Sequence, residues 1–437
     1  MIRRPSLRKI LAPAAGLRKS GLVVFFGIAL LFFGFALSFS GVIGPSLESL
    51  RKWAVDLMGS FVPVDSKESA AHLLAGAMLF MGLYVTFLGV RTAYRQINET
   101  INPNLKSGVL NEFVRRKQLA EGPEIVAMGG GTGLSTLLRG LKQYSSNITA
   151  VVTVTDDGGS SGKLIQEKGM IPPGDIRNCL VALADAEKAM TDLFQHRFKD
   201  DSGSLSGHSI GNLLLAAMLD QNKGDFEQAI QRASEVLNIR GRVTPSTLDH
   251  VGLRAILDDG REVSGETNIA NAGGKINKIF LDPMDVLGNK MAIAAIIEAD
   301  IVVIGPGSVF TSVIPNLLVP GMVDALRQSE AIKVYVCNIM TQPGESEGFS
   351  ASQHVTAILR SVEARIFDYV MVNTGLPSEE TLARYRESGQ HLVDADIDLV
   401  RGLGYKVITG DFMSSTDFVR HDPARIAGRL MTLLERR

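Results

Sequence analysis

Residues 126–133 of this chain read VAMGGGTG: a short apolar run, three consecutive glycines, a threonine and a fourth glycine. An amphipathic stretch, LSTLLRGLKQY, follows at once. That order predicts a buried strand, a tight turn and a helix. Backbone N–H groups at such a turn and at the start of the helix form a cradle for phosphate. Glycine lets an anion approach that closely. Gly129, Gly130, Gly131, Thr132 and Gly133 are therefore candidate ligand contacts, with a plain strand-to-helix turn as the alternative. The dinucleotide fingerprint G-x-G-x-x-G is not met, because Leu134 stands where the last glycine belongs. The phosphate loop G-x-x-x-x-G-K-[ST] also fails: over 157–164, Asp157 replaces the first glycine and Leu164 the Ser or Thr.

Further along, DDGGSSG (156–162) sets two carboxylates ahead of a flexible, donor-rich loop that contains Ser160 and Ser161. Adjacent residues on a strand point to opposite faces, so Asp156 and Asp157 divide between the cleft and the loop backbone. Beside a phosphate they suit Mg²⁺ or a sugar hydroxyl; capping of the turn is the competing reading. PPGDIRNCL (172–180) opens a helix, where Asp175 fits an N-cap or first-turn acid. Arg177 and Asn178 there either reach a ligand or serve the fold. In GHSIGNLLLAAM (207–218), His208 reads as a structural hydrogen-bonder ahead of a general base, and Asn212 as a ligand contact. GPGSVFTS (305–312) presents Gly305, Gly307 and Ser308 as a second anion cradle, or as a turn after a strand. Tyr385 offers a ring for stacking and Arg420 a fork for phosphate, both at positions that surface residues could equally occupy. No G-x-S-x-G elbow and no defensible Ser/His/Asp set supplies a nucleophile.

The elements that must position these groups alternate. Strands are expected at 125–128, 149–155, 301–305, 334–338, 369–373 and 406–409. Helices are expected at 136–144, 174–185, 210–221, 226–237, 352–362, 378–388 and 423–435. Apolar strands separated by helices predict an α/β fold with a mostly parallel sheet covered on both faces. Residues 241–282, rich in Val, Thr, Gly and Asp with a DDG turn at 258–260, predict a small antiparallel β insertion. Ligands of open α/β sheets sit beyond the carboxyl ends of the strands. Four strands here run into small polar turns, DDGGSSG, GPGSVFTS, NIMTQPGE and NTG, which points to one continuous cleft.

The 437 residues leave room for a membrane region and a large domain, and the net charge of −1 gives no sign of nucleic-acid binding. The two cysteines, Cys179 and Cys337, read as free and buried, and the seven histidines show no metal spacing. Residues 21–44 carry no charge, and 70–90 none apart from His72; each stretch is long enough for the roughly 30 Å hydrocarbon core of a bilayer. The expected organisation is a basic cytoplasmic tail (1–20), a first transmembrane helix (21–44), an extracytoplasmic loop (45–69) and a second transmembrane helix (70–90). A part-helical linker (91–122) and a soluble domain (123–437) follow. Arg3, Arg4, Arg8, Lys9, Arg18 and Lys19 before the first span, and Arg91, Arg95 and Lys106 after the second, place both ends in the cytoplasm. A cleaved signal peptide and buried soluble helices are the competing readings. The spans hold no interior Asp, Glu, Lys or Arg, as suits an anchor rather than a transport path. Gly27 and Gly34, with Gly76 and Gly82, would let the two helices pack closely.

GGGTGLS, DDGGSSG, GDIRNCL, GHSIGNLLLAA, GPGSVFTSVIPNLL and YVCNIMTQPGE, in this order, resemble the YvcK-type gluconeogenesis factors of the CofD-like superfamily over roughly 123–437. The resemblance implies a Rossmann-like core, a homodimer and a UDP-sugar ligand, with UDP-N-acetylglucosamine foremost. It also implies a part in cell shape and cell-wall precursor balance during growth on gluconeogenic carbon. Carried over residue by residue, it makes 129–133 and 305–308 phosphate contacts and Asp156, Asp157 and Asn212 cleft residues. Tyr385 and Arg420 become UDP-sugar contacts. Such relatives are mostly soluble, so the hairpin is an addition that would anchor the domain on the cytoplasmic face of a bacterial membrane. The related enzyme branch transfers a 2-phospho-lactyl group from a nucleotide-activated donor with Mg²⁺, the one candidate cofactor. That activity is the alternative, although MTQPGE lies nearer the regulatory branch.

Overall fold

The computed structural model describes residues 7–43, 49, 52–53, 56, 67–101, 109–185, 188–199, 203, 205–414 and 418–436. They fall into two compact units, Met1–Arg115 and Arg116–Arg437.

In the first unit, helices Leu7–Ile43 and Lys67–Ile101 pack side by side. Arg18–Ser38 and His72–Gln96 within them are long and apolar enough to cross a membrane. Both helices run beyond the expected spans, into the basic tail and the linker, and the linker holds a further helix, Val109–Ala120. Most of the expected 45–69 loop lies outside the described residues. Glycine sets the closeness of the pair. A Cβ at Gly27 would stand 2.6 Å from Thr86 N, one at Gly82 2.9 Å from Gly27 O, and one at Gly89 2.9 Å from Val24 N. Gly76, expected in this seam, has nothing within 4 Å. Gly82 and Gly89 are seven residues apart and share a face, as heptad spacing requires; Gly76 and Gly82 are six apart. Phe25, Phe26, Phe32, Phe80 and Phe87 point outward.

The second unit is built on seven strands: β1 (Ile125–Gly129), β2 (Ile148–Val152), β3 (Arg242–Pro245), β7 (Ile301–Ile304), β8 (Ile332–Val336), β9 (Tyr369–Asn373) and β10 (Lys406–Gly410). The order is β10-β9-β8-β7-β1-β2-β3, and every neighbouring pair is parallel. Both faces are covered. Ile125 and Ala127 of β1 belong to one core, and Val126 and Met128 to the other. This double burial is why the strands read as unbroken apolar runs. Three strands, β4 (Gly252–Leu257), β5 (Glu262–Ser264) and β6 (Ile276–Asp282), form the antiparallel insertion, ordered β5-β4-β6.

Two expectations need correction. Residues 242–245 do not belong to the insertion; they are the edge strand β3, paired in parallel with β2. Four residues ending in Pro245 carry little strand signal, and an edge position tolerates the missing N–H. Residues 159–162 are not a flexible loop but the start of helix Gly159–Lys168, with Ser160 and Ser161 buried in its first turn.

The strand order reverses between β1 and β7. The chain moves outward from β1 through β2 to β3 on one side and from β7 through β10 on the other. The carboxyl ends of β1 and β7 therefore flank a topological switch point, where open α/β sheets bind ligands.

Candidate functional site

A cleft of about 750 Å³ opens at that switch point. Gly130, Gly131, Thr132 and Gly133 line it from the end of β1, and Pro306, Gly307 and Ser308 from the end of β7. The two turns are locked together. A Cβ at Gly133 would stand 2.3 Å from Pro306 O, so only glycine fits there. Helix Gly131–Leu141 begins with Gly131 at φ 62°. Its first N–H is already used: Gly131 N donates to Asp175 Oδ2 at 2.7 Å. Among the described residues nothing accepts from Thr132 N or Gly133 N, which leaves two helix-start donors facing the cleft.

The β7 turn is differently equipped. Gly307 N donates to Asn338 Oδ1 at 3.1 Å. Ser308 Oγ donates to Glu345 Oε2, and Thr311 Oγ1 lies 3.4 Å from Glu345 Oε1. Glu345 and Glu266 both line this wall. Burial pushes the Glu345 carboxyl up, against the pull of the Ser308 and Thr311 hydrogen bonds. Glu266 is pushed up to about 8, first by burial, then by Asp156 and Asp175. Asp175 rises to about 6 through burial, opposed by the Gly131 N–H and helped by Asp156.

Another part of the lining is cationic and aromatic. Arg384, Tyr385, Phe418, Arg420 and His421 form it. Arg420 lies over the Phe418 ring, 5.4 Å from its centre. Tyr385 Oη accepts from Val419 N at 3.0 Å, tying helix Glu379–Glu387 to the segment that carries Arg420. A small separate core of Ile339, Met340 and Leu382, with Leu392, Met413 and Val419 against it, supports this wall. Burial brings His421 down to about 4, so its ring is neutral at physiological pH.

Of the residues singled out in the sequence, Gly130, Gly131, Thr132, Gly133, Gly307, Ser308, Tyr385 and Arg420 meet in this cleft. Gly129 and Gly305 lie behind it. Gly129 O accepts from Thr153 N and Asn316 Nδ2, and Gly305 N donates to Met128 O. Asp156 and Asp157 diverge. Asp156 Oδ1 accepts from Gly158 N, and Asp157 Oδ1 accepts from Thr267 N and Oγ1, holding the start of helix Glu266–Asn271. Ser160, Asn178 and Asn212 sit in a buried network around Arg177. Arg177 Nη1 donates to Ser209 Oγ and to Asn212 Oδ1 at 3.1 Å, and Nη2 to Asn178 Oδ1 at 2.8 Å; Ser160 Oγ pairs with His208 Nδ1 at 3.0 Å. Ser161 packs against Gly174.

Asp175 is a first-turn acid, Pro172 being the N-cap. Asn338 and Glu345 are the two ends of NIMTQPGE, one of the strand-end turns expected at the cleft, while Glu266 and Arg384 join the lining from outside those motifs. Glu266 is invisible in sequence because it opens the short helix Glu266–Asn271 of the β insertion, which follows none of the strand-end motifs. Among the described residues no three His, Cys, Asp or Glu side chains are grouped to hold a metal. The carboxylates of Asp156 and Asp157 accept from different groups, Gly158 N for the one and Thr267 N and Oγ1 for the other, so the pair does not converge as a preformed Mg²⁺ site.

Comparison with known proteins agrees with this architecture. Residues 125–413 match the family described as 2-phospho-L-lactate transferase CofD. A gluconeogenesis factor of Bacillus subtilis strain 168 is 45% identical over 318 residues, covering 72% of this chain and 100% of that one. A gluconeogenesis factor of Halalkalibacterium halodurans is 46% identical over 308 residues, 70% of this chain and 95% of that one. A crystal structure of a UPF0052 family member from Bacillus halodurans superposes with a TM-score of 0.69 at 45% identity, covering 71% of this chain and 99% of that one.

Proposed function

Since the chain belongs to the CofD family and, within it, to the gluconeogenesis factors, we propose that its cleft binds a nucleotide-diphosphate sugar, with UDP-N-acetylglucosamine foremost. The protein then acts as a ligand-responsive regulator of cell shape and cell-wall precursor metabolism, held at the cytoplasmic face of the membrane by its two apolar helices. One observation carries the reading. Arg384 and Arg420, with the rings of Tyr385 and Phe418, line the same cleft of about 750 Å³ as the open N-terminus of helix Gly131–Leu141. That space suits a ligand of this size. Arginine and helix-start N–H groups suit phosphates, and the rings suit a base. The carboxyls of Glu266 and Glu345 on the remaining wall suit hydroxyl groups.

Calorimetric titration of the full chain in detergent with UDP-N-acetylglucosamine tests it. A saturable signal is expected, weakened at least tenfold by Arg420→Ala, the scale of one charged hydrogen bond, about 1.5–3 kcal/mol. No heat at millimolar ligand would overturn the reading. The homodimer implied by the resemblance belongs to the same proposal, and sedimentation of the detergent-solubilised chain checks it. A 2-phospho-lactyl transferase reading would need Asp156 and Asp157 to converge on one ion, and their carboxylates are directed to different partners.

A further inference from the structure

Ser312 stands between the two glycine turns. It is only 7% exposed, yet it lines the cleft. A Cβ at Gly131 would lie 4.0 Å from its Oγ, and one at Gly307 3.9 Å, so the hydroxyl borders both turns. Among the described residues no group pairs with that hydroxyl. Its neighbours are engaged: Ser308 Oγ accepts from Thr311 N at 3.2 Å and donates to Glu345, and Thr311 Oγ1 lies 2.9 Å from Ser308 Oγ. The leading amides of both turns are engaged as well, Gly131 N with Asp175 and Gly307 N with Asn338. Because Ser312 lines the cleft, its hydroxyl is presented to whatever occupies that space, and an acceptor there gains a hydrogen bond without breaking one in the fold. Ser312 lies within a single wide helical turn, Val309–Val313, of the π type, a distortion that recurs at functional sites.

We propose that Ser312 Oγ donates to a phosphate oxygen of the ligand and so joins the two turns into one diphosphate seat, together with Thr132 N and Gly133 N. The inference rests on the nucleotide-sugar reading above and deepens it by placing the diphosphate at this junction.

The test is binding of UDP-N-acetylglucosamine and of inorganic pyrophosphate to the full chain and to Ser312→Ala, with thermal unfolding of both proteins alongside. Loss of one charge-assisted hydrogen bond weakens both ligands about ten- to hundredfold. The unfolding midpoint of the unliganded protein is unchanged, because the hydroxyl has no partner in the fold to lose. Ser312→Thr, which keeps the hydroxyl, retains more affinity than Ser312→Ala. Wild-type affinity of Ser312→Ala for both ligands would overturn the inference while leaving the UDP-sugar reading intact. Ser312-dependent pyrophosphate binding without UDP-sugar binding would uphold the inference and overturn the ligand reading. Binding of neither ligand to the wild-type chain would overturn both.

Discussion

Glu266 and Asp175 keep their protons to higher pH than ordinary carboxyls do. Their ordinary values are 4.5 and 3.8, and in the fold they stand at about 8 and about 6. A carboxyl raised in the folded state favours folding most below its unfolded value. That contribution fades as pH rises through the folded value. The unfolding midpoint of the protein should therefore fall between about pH 4 and pH 8 from these two groups. Glu266→Gln, which is neutral throughout, should flatten the upper half of that fall. A midpoint profile for Glu266→Gln that overlays the wild-type curve would contradict the assignment. Tyr385 makes a second case at this scale. Its hydroxyl is spent on Val419 N, so it holds the segment bearing Arg420 while its ring remains for the ligand. Tyr385→Phe should weaken UDP-sugar binding several-fold in the wild-type background and have little effect when Arg420 is already Ala. Additive losses in that double-mutant cycle would show the two acting independently.

The glycine-turn elements depend on each other through backbone rather than side chains. Gly133→Ala drives a methyl against Pro306 O, and Gly140→Ala drives one to 2.0 Å from Pro423 O on helix Pro423–Leu434. Neither neighbour is a flexible side-chain end, so each change should cost at least the ~1–3 kcal/mol of core overpacking. Denaturant titration reads that cost; wild-type midpoints for both would refute the packing argument. Most of these elements were legible in the sequence because both faces of the sheet are buried. β9 spans the expected 369–373, and helices Ile210–Gln221 and Phe226–Leu237 lie where their patterns put them. What escaped has physical causes. β3 is a four-residue edge strand ending in proline. The Gly159–Lys168 helix starts at two glycines that resemble a loop. Both turns of the cleft were legible, since a run of glycines has few other uses. The acidic side of the cleft was only half legible: Glu345 closes the NIMTQPGE turn, but Glu266 reaches the cleft from the first position of a short helix in the insertion. Asp156 and Asp157 look paired in sequence, yet β2 ends at Val152 and the irregular chain beyond it turns them to different partners, Gly158 N and Thr267.

At the scale of the whole molecule, the two cores that flank the sheet draw only on residues from Ile125 onward. The seam of Gly27, Gly34, Gly82 and Gly89 involves only the helical pair. Each unit thus has its own packing, and roughly a quarter of the chain has no counterpart in the Bacillus subtilis relative, all of which is matched by 72% of this chain. The outward phenylalanines of the hairpin would be costly in water and favourable in lipid. The full chain should therefore stay with the membrane fraction through a carbonate wash, while a chain beginning at residue 116 should be soluble and bind UDP-N-acetylglucosamine with unchanged affinity. The positive charges flanking both spans further predict that a C-terminal epitope is shielded from protease in sealed right-side-out vesicles. Release of the full chain by carbonate would mean that the helices do not span. Weaker ligand binding by the shortened chain would mean that the hairpin contributes to the site as well as to its location, since nothing in the cores of the second unit requires residues before 116.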